Sequence, residues 1–168
     1  NEKMKNCLFV YDLETTSLDV DNCHIIERYF KEYNLNFIAS CGVININTLI
    51  PKFIEELTGI SNNMIMNGQQ SSIFRKEIDE IFEYCDQPKF IAHNGNTFDH
   101  RIMINQRLFN NVYKNQLLDS KNIIRLMINT DNLQLKSLYL KIVPDPDIEG
   151  YHRAEADVEM LIAILKML

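Results

Sequence analysis

Asp12, Glu14, Asp99, His152 and Asp157 are the side chains from which a reaction could be built. The first pair leaves the apolar run Cys7-Leu8-Phe9-Val10-Tyr11 at a spacing of i, i+2. Side chains alternate along a strand, so both acids point to one side. Two carboxylates on one side of a buried strand are costly unless a positive charge meets them. A divalent cation is the natural partner for such oxygens. The plainer alternative is a strand that ends at Asp12, with its acids in water. Asp99 follows a short apolar segment and a tight turn, at the mouth of a sheet or as a first-turn acid complementing a helix dipole. Asp157 sits one residue off the apolar stripe of the last helix, as a boundary residue or a ligand. His152 precedes it by five, which on a continuous helix separates their faces. Pro146 and Gly150 upstream allow His152 an approach loop instead.

The elements that must position these residues are read from periodicity. Leu8 onward reads as a strand buried on both faces. Ser17 to Asn22 reads as a loop. Ile25–Tyr33 and Asn36–Ile46 alternate around a turn at Asn34, giving a hairpin that pairs back onto the first strand. Arg28, Lys31 and Glu32 interrupt its pattern and point to an exposed hairpin face. Pro51 to Thr58 predicts a short helix stopped by Gly59. Ser71 is expected to cap a helix carrying Phe74, Ile78, Ile81, Phe82 and Cys85 on one stripe. Phe90-Ile91-Ala92 predicts a buried strand. His93 to Asn96 is a turn, with Thr97 as a cap and Phe98, Ile102 and Phe109 on the next helix face. Gln116–Asp119 predicts a strand, and Lys121–Ile128 and Leu133–Leu140 predict helices. The last helix opens near His152 and buries Val158, Leu161, Ile162 and Leu165. Strands first, then alternating strands and helices, give an α/β fold, a mixed sheet with helices on both faces.

The chain has 168 residues, 46% apolar and 24% charged, as expected for one globular domain. Residues 1–6 read as a disordered or appended leader. No apolar run approaches the roughly 18 residues that span a bilayer, so no membrane partner is expected. Cys7, Cys23, Cys41 and Cys85 form no paired spacing and read as reduced thiols of an intracellular protein, cytoplasmic or nuclear. Abundant Asn and Ile hint at AT-rich coding, as in some viruses and protists. A net charge of −6 argues against a generic nucleic-acid binder. Residues 89–141 nevertheless hold eight basic against three acidic residues, enough for a local basic face or for ordinary solvated helices.

Three ordered motifs turn the acids into a set. Phe9-Val10-Tyr11-Asp12-Leu13-Glu14-Thr15-Thr16-Ser17-Leu18 is close to F-D-x-E-T-T-G-L, Ala92-His93-Asn94 through Phe98-Asp99 matches A-H-N-x-x-F-D, and His152-Arg153-Ala154-Glu155-Ala156-Asp157 matches H-R-A-x-x-D. Leu57-Thr58-Gly59-Ile60, Leu118-Asp119-Ser120 and Leu135-Lys136-Ser137-Leu138 agree as minor features. The chain thereby resembles the DEDDh 3′–5′ exonucleases, from about Leu8 to Leu165. The sister group with a tyrosine base would place Tyr four residues before the last Asp, where this chain has Arg153. Ser17 stands where the family often has Gly.

The resemblance implies a ribonuclease H-like, five-stranded mixed sheet. It also implies removal of nucleotides from the 3′ end of DNA or RNA by two-metal phosphodiester hydrolysis. Asp12, Glu14, Asp99 and Asp157 would hold two Mg²⁺, with Mn²⁺ able to substitute, and His152 would be the general base. Leu13, Thr15, Thr16 and Leu18 would hold the terminal nucleotide, and Asn94 or Asn96 with Phe98 the next. The partner is single-stranded or 3′-ended nucleic acid. The chain would act alone or within a larger polypeptide or polymerase complex, in an oligomeric state the sequence leaves open. The rival reading is a nucleic-acid-binding module on the same fold without hydrolysis.

Overall fold

The computed structural model describes residues 2–147 and 153–168. Its sheet has five strands in the order β3-β2-β1-β4-β5. They are β1 (Leu8–Thr15), β2 (Ile25–Glu32), β3 (Ile38–Val43), β4 (Lys89–Ala92) and β5 (Leu117–Asp119). β2 runs antiparallel to β1 and to β3, whereas β4 runs parallel to β1 and β5 parallel to β4. The hairpin expectation therefore holds, with its turn at Tyr33–Leu35. The first strand runs through both acids and ends at Thr15 rather than at Asp12.

Period-two alternation in β1 divides the molecule. Phe9, Tyr11 and Leu13 enter a core with Phe30, Phe90, Ile102, Met103 and Phe109. Two ring pairs lie at its centre, Tyr11 with Phe30 at 4.4 Å and Phe90 with Phe109 at 4.3 Å between centroids. α3 (Ser71–Tyr84) closes this face through Phe74, Ile78 and Ile81, beside α4 (Asp99–Asn105). Val10 points the other way and meets Ala154, Val158, Leu161 and Ile162 of α7 (Ala154–Met167). α5 (Ser120–Met127) and α6 (Leu135–Ile142) pack on the outer side of α7 through Ile124, Leu138, Met160 and Ile164. Helices thus cover both faces. α1 (Lys52–Thr58) and α2 (Asn62–Met66) close a smaller cluster around Ile26, Ile54, Ile60 and Ile65.

Several local expectations need correction. The β2 face is not exposed: Arg28 is fully buried and Glu27 and Glu32 nearly so. Each charge has a local solution. Arg28 donates to Ser40 Oγ, the Gly42 carbonyl and Glu77, and its guanidinium lies 5.2 Å from the Phe74 ring centre. Glu32 accepts from Asn34 N and Leu35 N and so closes the hairpin turn. Ser71 is the first residue of α3 rather than its cap, because Gln70 occupies that position without a side-chain bond. Phe98, not Thr97, precedes α4, which ends before Phe109. The helix α2 was not anticipated, although Ser61 caps it by accepting from Met64 N. Met4, inside the expected leader, forms a parallel bridge with Cys85. None of the helices is long and apolar enough to cross a membrane among the described residues.

Candidate active site

Strand alternation that sends Phe9, Tyr11 and Leu13 into one core sends Asp12 and Glu14 toward α7. There they meet Asp157, one turn into that helix. Asp12, Glu14 and Asp157 each offer a carboxylate oxygen, and the three oxygens lie within 4.8 Å of one another. Residues 145 positions apart in sequence are thereby joined, because α7 packs directly on β1. Asp99 reaches the same end of the sheet from the start of α4. It is 2% exposed, and its Oδ2 accepts the Leu13 N–H at 3.2 Å, between the two acids of β1.

Crowded carboxylates resist ionisation. Burial pushes Asp12 well above the usual carboxylate range, with the charges of Glu14, Asp157 and Asp99 adding to it. Burial likewise raises Glu14 to about 9, reinforced by Asp157. Asp99 rises to about 7 through burial, and the Leu13 amide partly opposes the shift. Asp12 Oδ2 is sealed from solvent and has no hydrogen-bond partner among the described residues. A buried carboxylate oxygen without a donor, surrounded by like charge, is the environment that a divalent cation relieves. The donor set is all oxygen, which suits Mg²⁺ or Mn²⁺ and not a thiolate-seeking metal.

The remaining sequence-predicted residues surround this cluster in different ways. Leu13 has its side chain in the core and its N–H on Asp99. Thr15 donates to the Ser17 carbonyl, and Thr16 Oγ1 accepts from His24 N. These two bonds shape the loop after β1, and Leu18 stands out from it at 86% exposure. Phe98 packs partly against the core, Asn96 is exposed and Asn94 is half-buried in the left-handed region at φ 64°. His152 lies outside the described residues.

Two buried acids support the site without having been given a role from sequence. Asp119 accepts from Asn94 N, Asn96 N and Lys121 N and so holds the loop before Asp99. Glu27 pairs with Glu14 across the β1–β2 ladder, and its carboxylate is taken by Arg153 and Ala154 N. Beneath the loop, His100 bridges Tyr11 Oη and the Leu118 carbonyl, each at 2.8 Å. Burial lowers its proton affinity, so the neutral ring donates from Nε2 and accepts at Nδ1. Leu118-Asp119-Ser120 stood out in the sequence as a motif, whereas nothing local marked Glu27 or His100.

The strand order and layering define a ribonuclease H-like fold. Solved exonuclease I structures share it: one matches with a TM-score of 0.77 and 17% identity over 96% of this chain and 40% of the other. E. coli exonuclease I in complex with a dA16 oligonucleotide matches at 0.75 and 16%, with the same coverage. The RNase_T exonuclease family model matches residues 9–165, and the chain belongs to that family. An uncharacterized exonuclease of Acanthamoeba polyphaga mimivirus is 27% identical over 86% of this chain and 45% of its own length. A PolC-type DNA polymerase III of Mycoplasma genitalium is 30% identical over 96% of this chain and 11% of its own. The 3′-5′ exonuclease DinG of Bacillus subtilis is 37% identical over 49% of this chain and 7% of its own. The chain therefore spans less than half of each of these relatives.

Proposed function

We propose that this chain is a metal-dependent 3′–5′ exonuclease that hydrolyses terminal phosphodiester bonds of DNA or RNA. The observation that carries the reading is the meeting of Asp12, Glu14 and Asp157 around a sealed Asp12 oxygen that has no hydrogen-bond partner among the described residues. A binding module has no use for such a cluster, which repels phosphate. Divalent cations bound there supply counter-charge and an acidified water. Asp12, Glu14, Asp99 and Asp157 would hold them, two Mg²⁺ or Mn²⁺ between four carboxylates. The Leu13 N–H that Asp99 accepts would compete with that role.

His152 would accept the proton of the attacking water; its place just before α7 in the sequence supports this. Leu18 offers an exposed apolar side chain on which a terminal base can rest. The backbone of Leu13, Thr15 and Thr16 would line the terminal sugar. Asn94 or Asn96 and Phe98, on the loop held by Asp119, would meet the next nucleotide. Single strands are read largely by such stacking and sugar contacts. The dA16 complex of exonuclease I supports a single-stranded substrate, the 3′-5′ exonuclease DinG supports attack from the 3′ end, and the PolC-type relative supports work within a larger polypeptide or polymerase complex. Four free cysteines fit a reducing, intracellular setting, and the mimivirus relative fits a viral origin.

The test is degradation of 5′-labelled single-stranded DNA and RNA of one sequence, with Mg²⁺, Mn²⁺ or EDTA, beside Asp12→Ala. The expected result is a ladder shortening from the 3′ end, dependent on metal and absent in the variant. Intact label on both substrates in every metal would overturn the reading.

A further inference from the structure

Asp157 can serve the cluster only if the first turn of α7 is held at a fixed height above β1. Helix starts leave amide groups unsatisfied, and a side chain at the cap position normally accepts one. Arg153 occupies that position and makes no such bond. The acceptor comes instead from the sheet: Glu27 Oε1 takes the Ala154 N–H at 2.9 Å. The Arg153 guanidinium closes on the same carboxylate, Nη2 to Oε2 at 2.6 Å and Nε to Oε2 at 3.0 Å. The Arg153 carbonyl then accepts the Asp157 N–H at 3.0 Å. A continuous chain of bonds thus runs from β2, through Arg153, to the backbone of Asp157.

The same contact manages charge. Glu27 is 6% exposed and stands opposite Glu14 in the ladder. Unpaired, it would be a further buried carboxylate beside the cluster, and it already adds to the proton affinity of Glu14. Arg153 neutralises it and occupies its oxygens, so Glu27 is spent as a clasp and is not one of the three converging ligands. A planar guanidinium suits this fork-like pairing better than an ammonium.

We infer that Glu27 and Arg153 are positioning residues that set the metal affinity of the carboxylate cluster by fixing the start of α7. The inference rests on the metal-dependent reading above. Outer partners of metal ligands typically contribute about 10- to 100-fold in affinity. The experiment is Mn²⁺ binding to the full chain without nucleic acid, followed by electron paramagnetic resonance well below the melting temperature. Wild type, Asp12→Asn, Glu27→Ala, Glu27→Gln, Arg153→Met and Arg153→Lys are compared, with circular dichroism melts of each.

Glu27→Ala and Arg153→Met should weaken Mn²⁺ binding by about 10-fold or more. Glu27→Gln and Arg153→Lys should lose less, because one keeps an acceptor for Ala154 N and the other keeps the charge. Arg153→Lys keeps a cation on Glu27 and Glu27→Gln removes the buried charge, so these two should fold even if Glu27→Ala or Arg153→Met does not. A purely structural clasp would lower melting temperatures and leave the Mn²⁺ dissociation constant of the folded variants at the wild-type value, which would overturn the inference. Binding identical in wild type and Asp12→Asn would overturn the metal reading and this inference together. Binding that needs Asp12 yet ignores Glu27 and Arg153 would overturn the inference alone.

Discussion

At the residue scale, the site is a set of carboxylates held against their own repulsion. Asp12 is the extreme member, since its Oδ2 is sealed from solvent and has no donor among the described residues. Asp12→Asn should therefore abolish hydrolysis while leaving the metal-free protein as stable as wild type or more so. Melts with and without Mg²⁺ check this: the metal should stabilise wild type and leave Asp12→Asn unchanged. A large drop in the metal-free melting temperature would count against it. His152→Ala should lower kcat by about 10²- to 10⁴-fold, the usual range for a general base, with little change in KM. Steady-state kinetics on a labelled oligonucleotide read both, and an unchanged kcat would remove the assignment.

Asp12 and Glu14 were legible in the sequence because strand period two is local: an i, i+2 pair must share a face. Asp99 and Asp157 were legible through their motifs, since neither stands out from its own helix. Glu27 was not, because what explains it is Arg153, 126 positions away. A charge in a strand reads as an outward residue until its partner is known, and the partner belongs to another element.

At the element scale, the turn between β4 and α4 shows how tightly the loop before Asp99 is packed. A Cβ added at Gly95 would lie 2.7 Å from His100 Nε2, an atom already fixed on the Leu118 carbonyl. Gly95→Ala must push that ring off one of its two bonds or lift the loop. The expected cost is about 1–3 kcal/mol, the usual range for an overpacked position, read as a lower urea midpoint. A midpoint equal to wild type would show that the turn has slack. The helix α2 illustrates the opposite limit of legibility: five residues are too few for a period to declare itself, and only Ser61 marked it. The charges of β2 were misread for a related reason. Pattern alone assigned them to water, whereas α3 supplies Glu77 to Arg28 and α7 supplies Glu159 to Lys31.

At the scale of the whole molecule, the β2–β3 hairpin is tied to α3 by a buried cation. Arg28 has no exposed surface and Glu77 is its only ion-pair partner among the described residues. Glu77→Ala would leave that guanidinium buried on Ser40 and the Gly42 carbonyl alone. Removing one partner of a buried pair typically costs about 3–5 kcal/mol. Because Glu77 is 28% exposed, the lower end is expected, measured by chemical unfolding. A cost below about 1 kcal/mol would mean that water replaces the carboxylate. A mixed sheet with two helix layers was legible in outline, because strands then alternating elements leave few ways to bury both faces; the order of its strands was not.

The division of β1 also has a consequence for how such a chain can change. One strand is shared between two owners: its odd positions belong to the ring-filled core and its even positions to the carboxylate cluster. Ownership is a matter of parity, so deletion or insertion of a single residue there exchanges the two sets at once. Asp12 would then face Phe30 and Phe90, and Tyr11 would face Asp157. Lineages can rewrite the letters of this strand one at a time, whereas a change of its count by one needs a bulge to restore the parity.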